Sequence, residues 1–125
     1  MANNNQNQPT AATATPVYQH FGNRETKDFG RSRNVKVGDT FKLINTRPDD
    51  YQGNTFTRWQ FERADKSLWE PSETKVGMWC RKYYPQHVGN PEALFNELAS
   101  RGQITVTAVS MVEDDFQNKV QCVKF

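Results

Sequence analysis

Thr55 to Arg63 reads TFTRWQFER, and this stretch decides the fold because large apolar and polar side chains alternate along it. Trp59 and Phe61 fall on one face of an extended chain, whereas Phe56 and Arg58 fall on the other. A period of two over this length is typical of a half-buried β-strand. The pattern therefore predicts a strand that places Trp59 and Phe61 in the core.

The chain before this strand has the same period. Its apolar residues share one face of an extended run: Val35, Val37, Phe41 and Leu43. Lys42 lies on the opposite face. The residues between this run and the TFTRWQFER stretch include proline, aspartates and glycine, which favour a turn. The sequence therefore predicts a first strand, a turn and a second strand.

Residues 74–82, TKVGMWCRK, alternate as well. One face is apolar and comprises Val76, Met78 and Cys80. The other face is basic and aromatic and comprises Lys75, Trp79 and Arg81. We interpret this stretch as a third strand whose second face is exposed.

The best-marked element is a helix over Pro91 to Arg101. Asn90 is suited to the N-cap, Pro91 to the first helical position and Gly102 to the residue after the helix. The helix has a narrow apolar side that can close one end of a barrel: Leu94, Phe95 and Leu98.

The remaining chain predicts two more strands. The apolar alternation from Ile104 changes phase after Ala108, which one extra residue in the strand, a β-bulge, would explain. Glu113 to Asn118 is a polar loop, and the chain finishes in a fifth strand from Val120 to Phe125.

Two segments precede this domain of residues 34–125. Residues 1–16 contain an Asn/Gln run and no charged or aromatic side chain, so they bury too little apolar surface to offset ordering and are predicted to be disordered. Residues 17–33 form a basic aromatic arm, in which Tyr18, Phe21 and Phe29 are interspersed with arginine and lysine. Docking on the domain and contact with a ligand both stay open for this arm.

Three strands, one short helix and two strands define the predicted fold class: a mainly β, five-stranded Greek-key barrel with the helix between strands three and four. This order is similar to that of the OB-fold. Within that fold the chain resembles the small phage-type or bacterial-type single-stranded DNA-binding proteins. The resemblance rests on topology, and it implies a role in DNA replication, recombination or repair, with single-stranded DNA as the ligand.

Composition limits the classes of protein that fit. The chain has 125 residues, enough for one domain, and its formal net charge is only +2. It opens without a secretory signal pattern, and no apolar stretch approaches the roughly 20 residues that cross a bilayer. We expect no membrane association and a cytoplasmic location, which is the host cytoplasm if the protein is viral.

An enzyme is not expected. His20 and His87 stand in no recognisable relation to a nucleophile or a carboxylate pair. Cys80 and Cys122 lack the close paired spacings of a zinc site, so we interpret both thiols as buried apolar groups. The sequence predicts no cofactor and no metal.

Binding of single-stranded nucleic acid fits the basic and aromatic positions better. Bases stack on aromatic side chains for about 1–3 kcal/mol each, and the backbone needs cationic partners. The candidate binding residues lie on strands one to three and in the loop that follows: Lys42, Phe56, Arg58, Lys75, Trp79, Arg81, Lys82, Tyr83 and Tyr84. Such binding is expected to have low sequence specificity.

Several alternatives stay open. The same face could be an ordinary solvated sheet surface, or Trp79 could be covered by the arm. RNA is an alternative ligand, since contacts to the 2′-hydroxyl leave no pattern in a sequence. A protein-protein interaction or assembly module would use the same aromatic and arginine side chains. A homo-oligomer and replication or recombination proteins are the further partners considered, and Trp69 could be buried or exposed.

Overall fold

A computed structural model describes Tyr18 and residues 34–125. The predicted disordered tail of residues 1–16 lies outside the described residues, and so does the basic aromatic arm of residues 17–33 except for Tyr18.

The domain contains six strands and two α-helices within these residues. In chain order they are β1 (Thr40–Tyr51), β2 (Asn54–Glu62), β3 (Leu68–Trp69), α1 (Glu73–Tyr83), α2 (Pro91–Ser100), β4 (Gln103–Thr105), β5 (Ala108–Glu113) and β6 (Lys119–Lys124). A short 3₁₀ turn, Pro85–His87, connects the helices. The predicted mainly β class is confirmed.

The strands form two separate antiparallel sheets. The larger sheet has the order β3-β2-β1-β4, in which the fourth strand returns to lie beside the first, and this is a Greek-key arrangement. The register of β1 against β2 shifts between Leu43 and Asn45. The second sheet is the β5–β6 hairpin. A closed five-stranded barrel is not found among the described residues, because this hairpin pairs with itself rather than with the larger sheet.

The inner face of the larger sheet carries an aromatic core. Trp59 and Phe61 are fully buried, as predicted, and the ring of Phe125 stacks on Phe61 at a centroid distance of 5.5 Å. Trp69 is also buried and stacks on Trp79 at 5.6 Å. Phe41 and Leu43 point inward as expected, but the inward placement of Val37 is wrong, since β1 begins only at Thr40 and Val37 is 57% exposed.

The predicted third strand is wrong, because residues 74–82 lie in α1. Ser72 caps this helix by accepting a hydrogen bond from the Lys75 backbone N–H, and Glu73 stands in its first turn. The predicted apolar strand face is buried, and so is Trp79, which was expected on the exposed face: the buried residues are Val76, Met78, Trp79 and Cys80. Because the consecutive residues 78–80 are all buried, burial in this segment does not alternate from one residue to the next as it would along a strand.

The predicted helix is confirmed as α2, which runs from Pro91 to Ser100. The Asn90 side chain accepts a hydrogen bond from the backbone N–H of Ala93, and the predicted apolar side is fully buried. The bulge predicted near Ala108 is wrong, because β4 ends at Thr105, a new strand begins at Ala108, and the register of β5 against β6 is continuous from there.

Candidate functional site

The structure divides the nine predicted binding residues among three places. Three lie on the outer face of the larger sheet: Lys42, Phe56 and Arg58. Four are exposed or half-buried on α1: Lys75, Arg81, Lys82 and Tyr83. The remaining two, Trp79 and Tyr84, are buried. The single binding face expected from the sequence is therefore not present.

Trp79 and Tyr84 are corrected from exposed to core residues. Trp79 is 1% exposed, and its indole N–H donates to the backbone carbonyl of Gln121 at 3.1 Å. Tyr84 is 4% exposed, and its hydroxyl oxygen accepts from the backbone N–H of Phe125 at 2.7 Å. Burial raises the pKa of the Tyr84 hydroxyl. In this structure neither ring offers a face on which a base could stack.

The outer face of the larger sheet holds a network of ion pairs. Arg47 forms a two-point pair with Glu70, with its Nε 2.7 Å from one carboxylate oxygen and its Nη2 3.3 Å from the other. Arg58 donates from Nε to Asp49 at 2.6 Å, and its guanidinium lies 4.8 Å from the centroid of the Phe56 ring. The hydrogen bond from Arg58 holds the pKa of Asp49 below its usual value.

This network leaves the outer face without an excess of positive charge. Its described cations and carboxylates are equal in number: Lys42, Arg47 and Arg58 against Asp49, Glu62 and Glu70. Since the two arginines already bind carboxylates, a phosphate would have to compete with those partners.

A second surface surrounds the C-terminal end of α1, and we call it the α1-end surface. It is formed by four exposed cations and one half-buried ring: Arg81, Lys82, Arg101, Lys124 and Tyr83. None of these four cations forms a salt bridge with another residue in the described part of the chain. The C-terminal end of α1 adds no positive charge of its own, so the side chains supply the cationic character.

Contacts between elements bring these residues together. Lys82 and Arg81 both lie close enough to Cys122 on β6 for their positive charges to act on its thiol, although burial raises the pKa of that thiol overall. Lys124 shares its strand face with Cys122. The positive charge of Arg101 acts on the hydroxyl of Tyr84, the residue that follows Tyr83 in the chain. The cations of one helix, one strand and one loop therefore lie in the same region of the domain.

Tyr83 is the aromatic member of this surface. Its hydroxyl donates to Ser110 Oγ on β5 at 3.1 Å, which orients the ring. The Lys82 ammonium lies 5.9 Å from the centroid of that ring. A fixed, partly exposed ring beside cations can stack with a base while the cations bind phosphate.

The arm is anchored to the domain at Tyr18. The Tyr18 hydroxyl donates to Glu73 at 2.6 Å, and Trp59 Nε1 donates to the same carboxylate oxygen at 2.9 Å. The Tyr18 ring meets Phe95 edge-on at 5.5 Å, and its backbone carbonyl accepts from the Thr46 hydroxyl. Burial and the Glu73 hydrogen bond raise the pKa of Tyr18. The docking alternative is therefore supported at this residue.

Val35, two residues after the arm in the sequence, is held to β6 by its backbone. Its backbone N–H donates to Gln121 Oε1 at 2.8 Å, and Gln121 Nε2 donates to the Val35 carbonyl at 2.7 Å. Gln121 belongs to β6, the strand that also accepts the Trp79 indole N–H. Tyr18 and Val35 thus contact α1 and β6, two elements that pack against each other.

Sequence reasoning missed two members of the α1-end surface, Arg101 and Lys124. Arg101 was assigned only to the end of the helix, and Lys124 alternates on β6 like any exposed strand residue. Neither position carries a local signal, because the surface is assembled from elements far apart in the chain.

Tyr18 and residues 34–125 contain no group of three or more potential metal ligands among His, Cys, Asp and Glu. His87 Nε2 lies 2.7 Å from Glu97 Oε1 and links the 3₁₀ turn to α2. Both cysteines are buried, as predicted. None of the described helices has the length and apolar character of a membrane-spanning segment.

Comparisons of the chain with known protein families, with curated proteins and with solved structures found no match.

Proposed function

We propose that this protein binds single-stranded nucleic acid, with single-stranded DNA as the preferred ligand, without catalysis and with low sequence specificity. The observation that carries the proposal is the α1-end surface, where Arg81, Lys82, Arg101 and Lys124 share one region with Tyr83 and form no salt bridges to other described residues. Cations of this kind can release counterions from a nucleic-acid backbone when they bind it.

We place the binding site on the α1-end surface rather than on the outer face of the sheet because the cations of the two surfaces differ in their pairing with carboxylates. Arg47 and Arg58 already bind carboxylates, so their pairing with phosphate would break existing charge-assisted hydrogen bonds. Lys82 and Arg81 have no such described partner to lose. Their contacts with phosphate therefore add to the free energy of binding.

The arm adds support through its composition. Its sequence carries Arg24, Lys27, Arg31 and Arg33. The described residues that precede and follow these cations in the chain, Tyr18 and Val35, contact Glu73 of α1 and Gln121 of β6. Arg24, Lys27, Arg31 and Arg33 lie between these two residues in the sequence, and we propose that they supply further phosphate contacts to a bound strand.

The Greek-key sheet supports an OB-like relationship as part of this proposal. β1 pairs with β2 on one side and with β4 on the other, and α2 lies between β3 and β4 in the chain. OB-folds and related small β-domains recur among proteins that bind single strands. This likeness is the basis for preferring DNA, and for proposing a role in replication, recombination or repair.

A titration of the full chain tests the proposal. Because the described tryptophans are buried, the readout should be the fluorescence anisotropy of a labelled oligonucleotide rather than tryptophan emission. We expect tighter binding of single-stranded oligothymidylate than of a duplex of equal length. The logarithm of the affinity should fall linearly with the logarithm of salt, with a slope of about −0.7 for each phosphate contact.

Lys82→Ala and Lys119→Ala form a matched pair for this titration. Both remove one exposed lysine, but Lys119 lies on the other face of β6. Only Lys82→Ala should flatten the salt slope. No binding of DNA or RNA at low salt, or equal effects of the two variants, would contradict the proposal.

A protein-interaction module is the second candidate, and Phe116 is the observation in its favour. This ring is 84% exposed in the turn between β5 and β6, beside Asp114 and Asp115. Asp114 accepts hydrogen bonds from the backbone N–H groups of Phe116 and Asn118, which orders the turn. Protein binding that depends on Phe116, without any nucleic-acid binding, would favour this candidate.

A further inference from the structure

A cleft opens at the edge of the larger sheet where β1 begins and β2 ends. Its volume is about 500 Å³, and its walls include Lys36, Thr40, Phe41, Arg63 and Ala64. A smaller chamber of about 170 Å³ shares Thr40, Phe41, Arg63 and Ala64 with it, so the two adjoin. The larger volume lies in the range of small-molecule sites.

The two chambers differ in charge. Among described residues, the larger chamber is balanced, with the cations Lys36 and Arg63 and the carboxylates Asp39 and Asp65. The smaller chamber is cationic among the residues described, with three cations against one carboxylate: Lys42, Arg63 and Lys66 against Glu62. The Lys66 ammonium lies 3.9 Å from Glu62 Oε1, a long contact with an exposed lysine, so this pair offsets one of the three positive charges. A ligand with a neutral polar part joined to an anionic group matches this division.

The two carboxylates of the larger chamber accept hydrogen bonds from neighbouring residues of its walls and turns. Asp39 accepts from the backbone N–H of Lys36 at 3.0 Å. Asp65 accepts from both the backbone N–H and the hydroxyl of Ser67, at 2.9 and 2.6 Å. Their negative charges are therefore partly compensated before any ligand enters.

Arg63 forms the boundary between the chambers. Its guanidinium lies 5.5 Å from the centroid of the Phe41 ring, and its Nη1 donates to Ser67 Oγ at 3.3 Å. Because Phe41 is 2% exposed, the ring lies beneath the guanidinium rather than in the cleft. A guanidinium plane held in this way can stack on a nucleobase while it also attracts phosphate.

The turn that carries Arg63 and Lys66 is ordered. The Lys66 backbone N–H donates to the Arg63 carbonyl and the Arg63 N–H donates to the Ser67 carbonyl, both at 2.9 Å. Lys66 adopts a φ of 74°, in the left-handed region that glycine enters most easily. This backbone directs the Lys66 side chain to the rim of the smaller chamber.

From these observations we propose that the cleft binds one nucleoside phosphate unit. The phosphate lies in the smaller chamber, against Lys42 and Lys66, and the base lies in the larger chamber against the Arg63 guanidinium. The unit is either a free nucleotide or the 5′-terminal nucleotide of a strand. Binding of a strand's 5′-terminal nucleotide rests on the proposed function, whereas binding of a free nucleotide does not.

Titration calorimetry with deoxyadenosine 5′-monophosphate on the full chain tests this site. We expect the nucleotide to bind more tightly than adenosine or inorganic phosphate, because each of these fills one chamber only. Lys42→Glu should weaken nucleotide binding by about tenfold or more through loss of a phosphate contact. Lys119→Glu is the control, since it reverses a lysine charge on β6 away from the cleft.

Lys66→Gly is a second variant that keeps the test valid if Lys42→Glu folds poorly. Glycine suits the φ of 74°, so the change removes the cation without straining the turn. It should weaken the nucleotide and leave adenosine binding unchanged. Equal binding of nucleotide and adenosine, or equal effects of Lys42→Glu and Lys119→Glu, would overturn the proposal.

Oligonucleotides with and without a 5′-phosphate separate the two sources. Tighter binding of the phosphorylated strand, lost in Lys66→Gly, assigns the cleft to a strand end. Binding of the mononucleotide without any oligonucleotide binding assigns it to a free nucleotide and contradicts only the proposed function. Oligonucleotide binding without detectable mononucleotide binding contradicts the cleft assignment only.

Discussion

Two surfaces of this protein carry neighbouring basic side chains, but they hold them in opposite ways. On the outer face of the sheet, Arg47 and Arg58 lie 2.7 and 2.6 Å from the carboxylates of Glu70 and Asp49. On the α1-end surface, Arg81 and its basic neighbours have no salt bridge to another described residue. This difference indicates that a cation which donates a short hydrogen bond to a carboxylate stabilises the fold, whereas an exposed cation without such a bond can bind a ligand.

Trp79→Ala should have the largest effect, because this residue of α1 lies on the core side of the helix rather than on its cationic side. Loss of a buried tryptophan costs about 3–5 kcal/mol, through lost burial and the cavity left beside Trp69. Urea unfolding should show a large decrease in the free energy of unfolding. The salt slope of nucleic-acid binding should be unchanged in any protein that still folds.

The opposite result for Trp79 would remove the basis of the comparison. If Trp79→Ala kept wild-type stability and lost binding, the indole would have to be a ligand contact and not a core residue. Trp79→Phe provides a milder control, since it keeps an aromatic ring but removes the N–H that donates to the Gln121 carbonyl.

Arg47→Met and Arg81→Met compare the two surfaces directly, with the same substitution. Arg47→Met removes the guanidinium from Glu70, whose side chain is only 6% exposed, so we expect a loss of about 3 kcal/mol of stability. Arg81→Met should change the free energy of unfolding by less than about 0.5 kcal/mol. In anisotropy titrations it should instead reduce the salt slope by about 0.7, the contribution of one phosphate contact.

The distinction between the surfaces fails if these two variants exchange their effects. A stable Arg47→Met protein with a flattened salt slope would move the nucleic-acid interface to the outer face of the sheet. Thermal unfolding curves must show that both variants are folded at the titration temperature before the salt slopes of their nucleic-acid binding are compared.

Asp49→Asn should change the free energy of unfolding least, and the size of this change should depend on pH. The Arg58 hydrogen bond lowers the pKa of Asp49 in the folded state, so the ionised carboxylate stabilises the fold above its unfolded pKa of about 3.9. This contribution is lost as the pH falls through the lower, folded pKa. The variant should therefore be slightly less stable than the wild type at neutral pH.

The stability difference for Asp49→Asn should disappear in acid. Urea unfolding of both proteins from neutral pH to a pH below the folded pKa of Asp49 measures it. A difference that grew below the unfolded pKa would show that Arg58 does not stabilise the carboxylate of Asp49. A change in nucleic-acid affinity at neutral pH would further indicate that Arg58 is available to a ligand.

Parts of the fold followed from local patterns. Trp59 and Phe61 alternate with polar residues on one strand, and the structure buries both. Asn90 and Pro91 mark the start of a helix whose apolar side packs inward, and α2 begins there. In these two elements the period of the apolar residues and the capping chemistry agree with the environment in the folded domain.

The same reasoning failed for residues 74–82. Val76 and Met78 alternate like the residues of a strand, and Gly77 disfavours a helix by roughly 1 kcal/mol. Ser72 and Glu73 carry the opposite signal, since they suit the N-cap and the first turn of a helix. Because the candidate surface was derived from that strand, Trp79 was placed outside when the structure places it inside.

By itself, the sequence determined a mainly β domain with a helix at Pro91–Ser100, since apolar period and capping act over a few neighbouring residues. Only the tertiary structure decided which cations are committed to carboxylates and which are exposed together. Arg47 meets Glu70, and Arg81 lies near Cys122, across long stretches of chain. Such neighbours depend on how elements pack, and no local pattern along the chain encodes that packing.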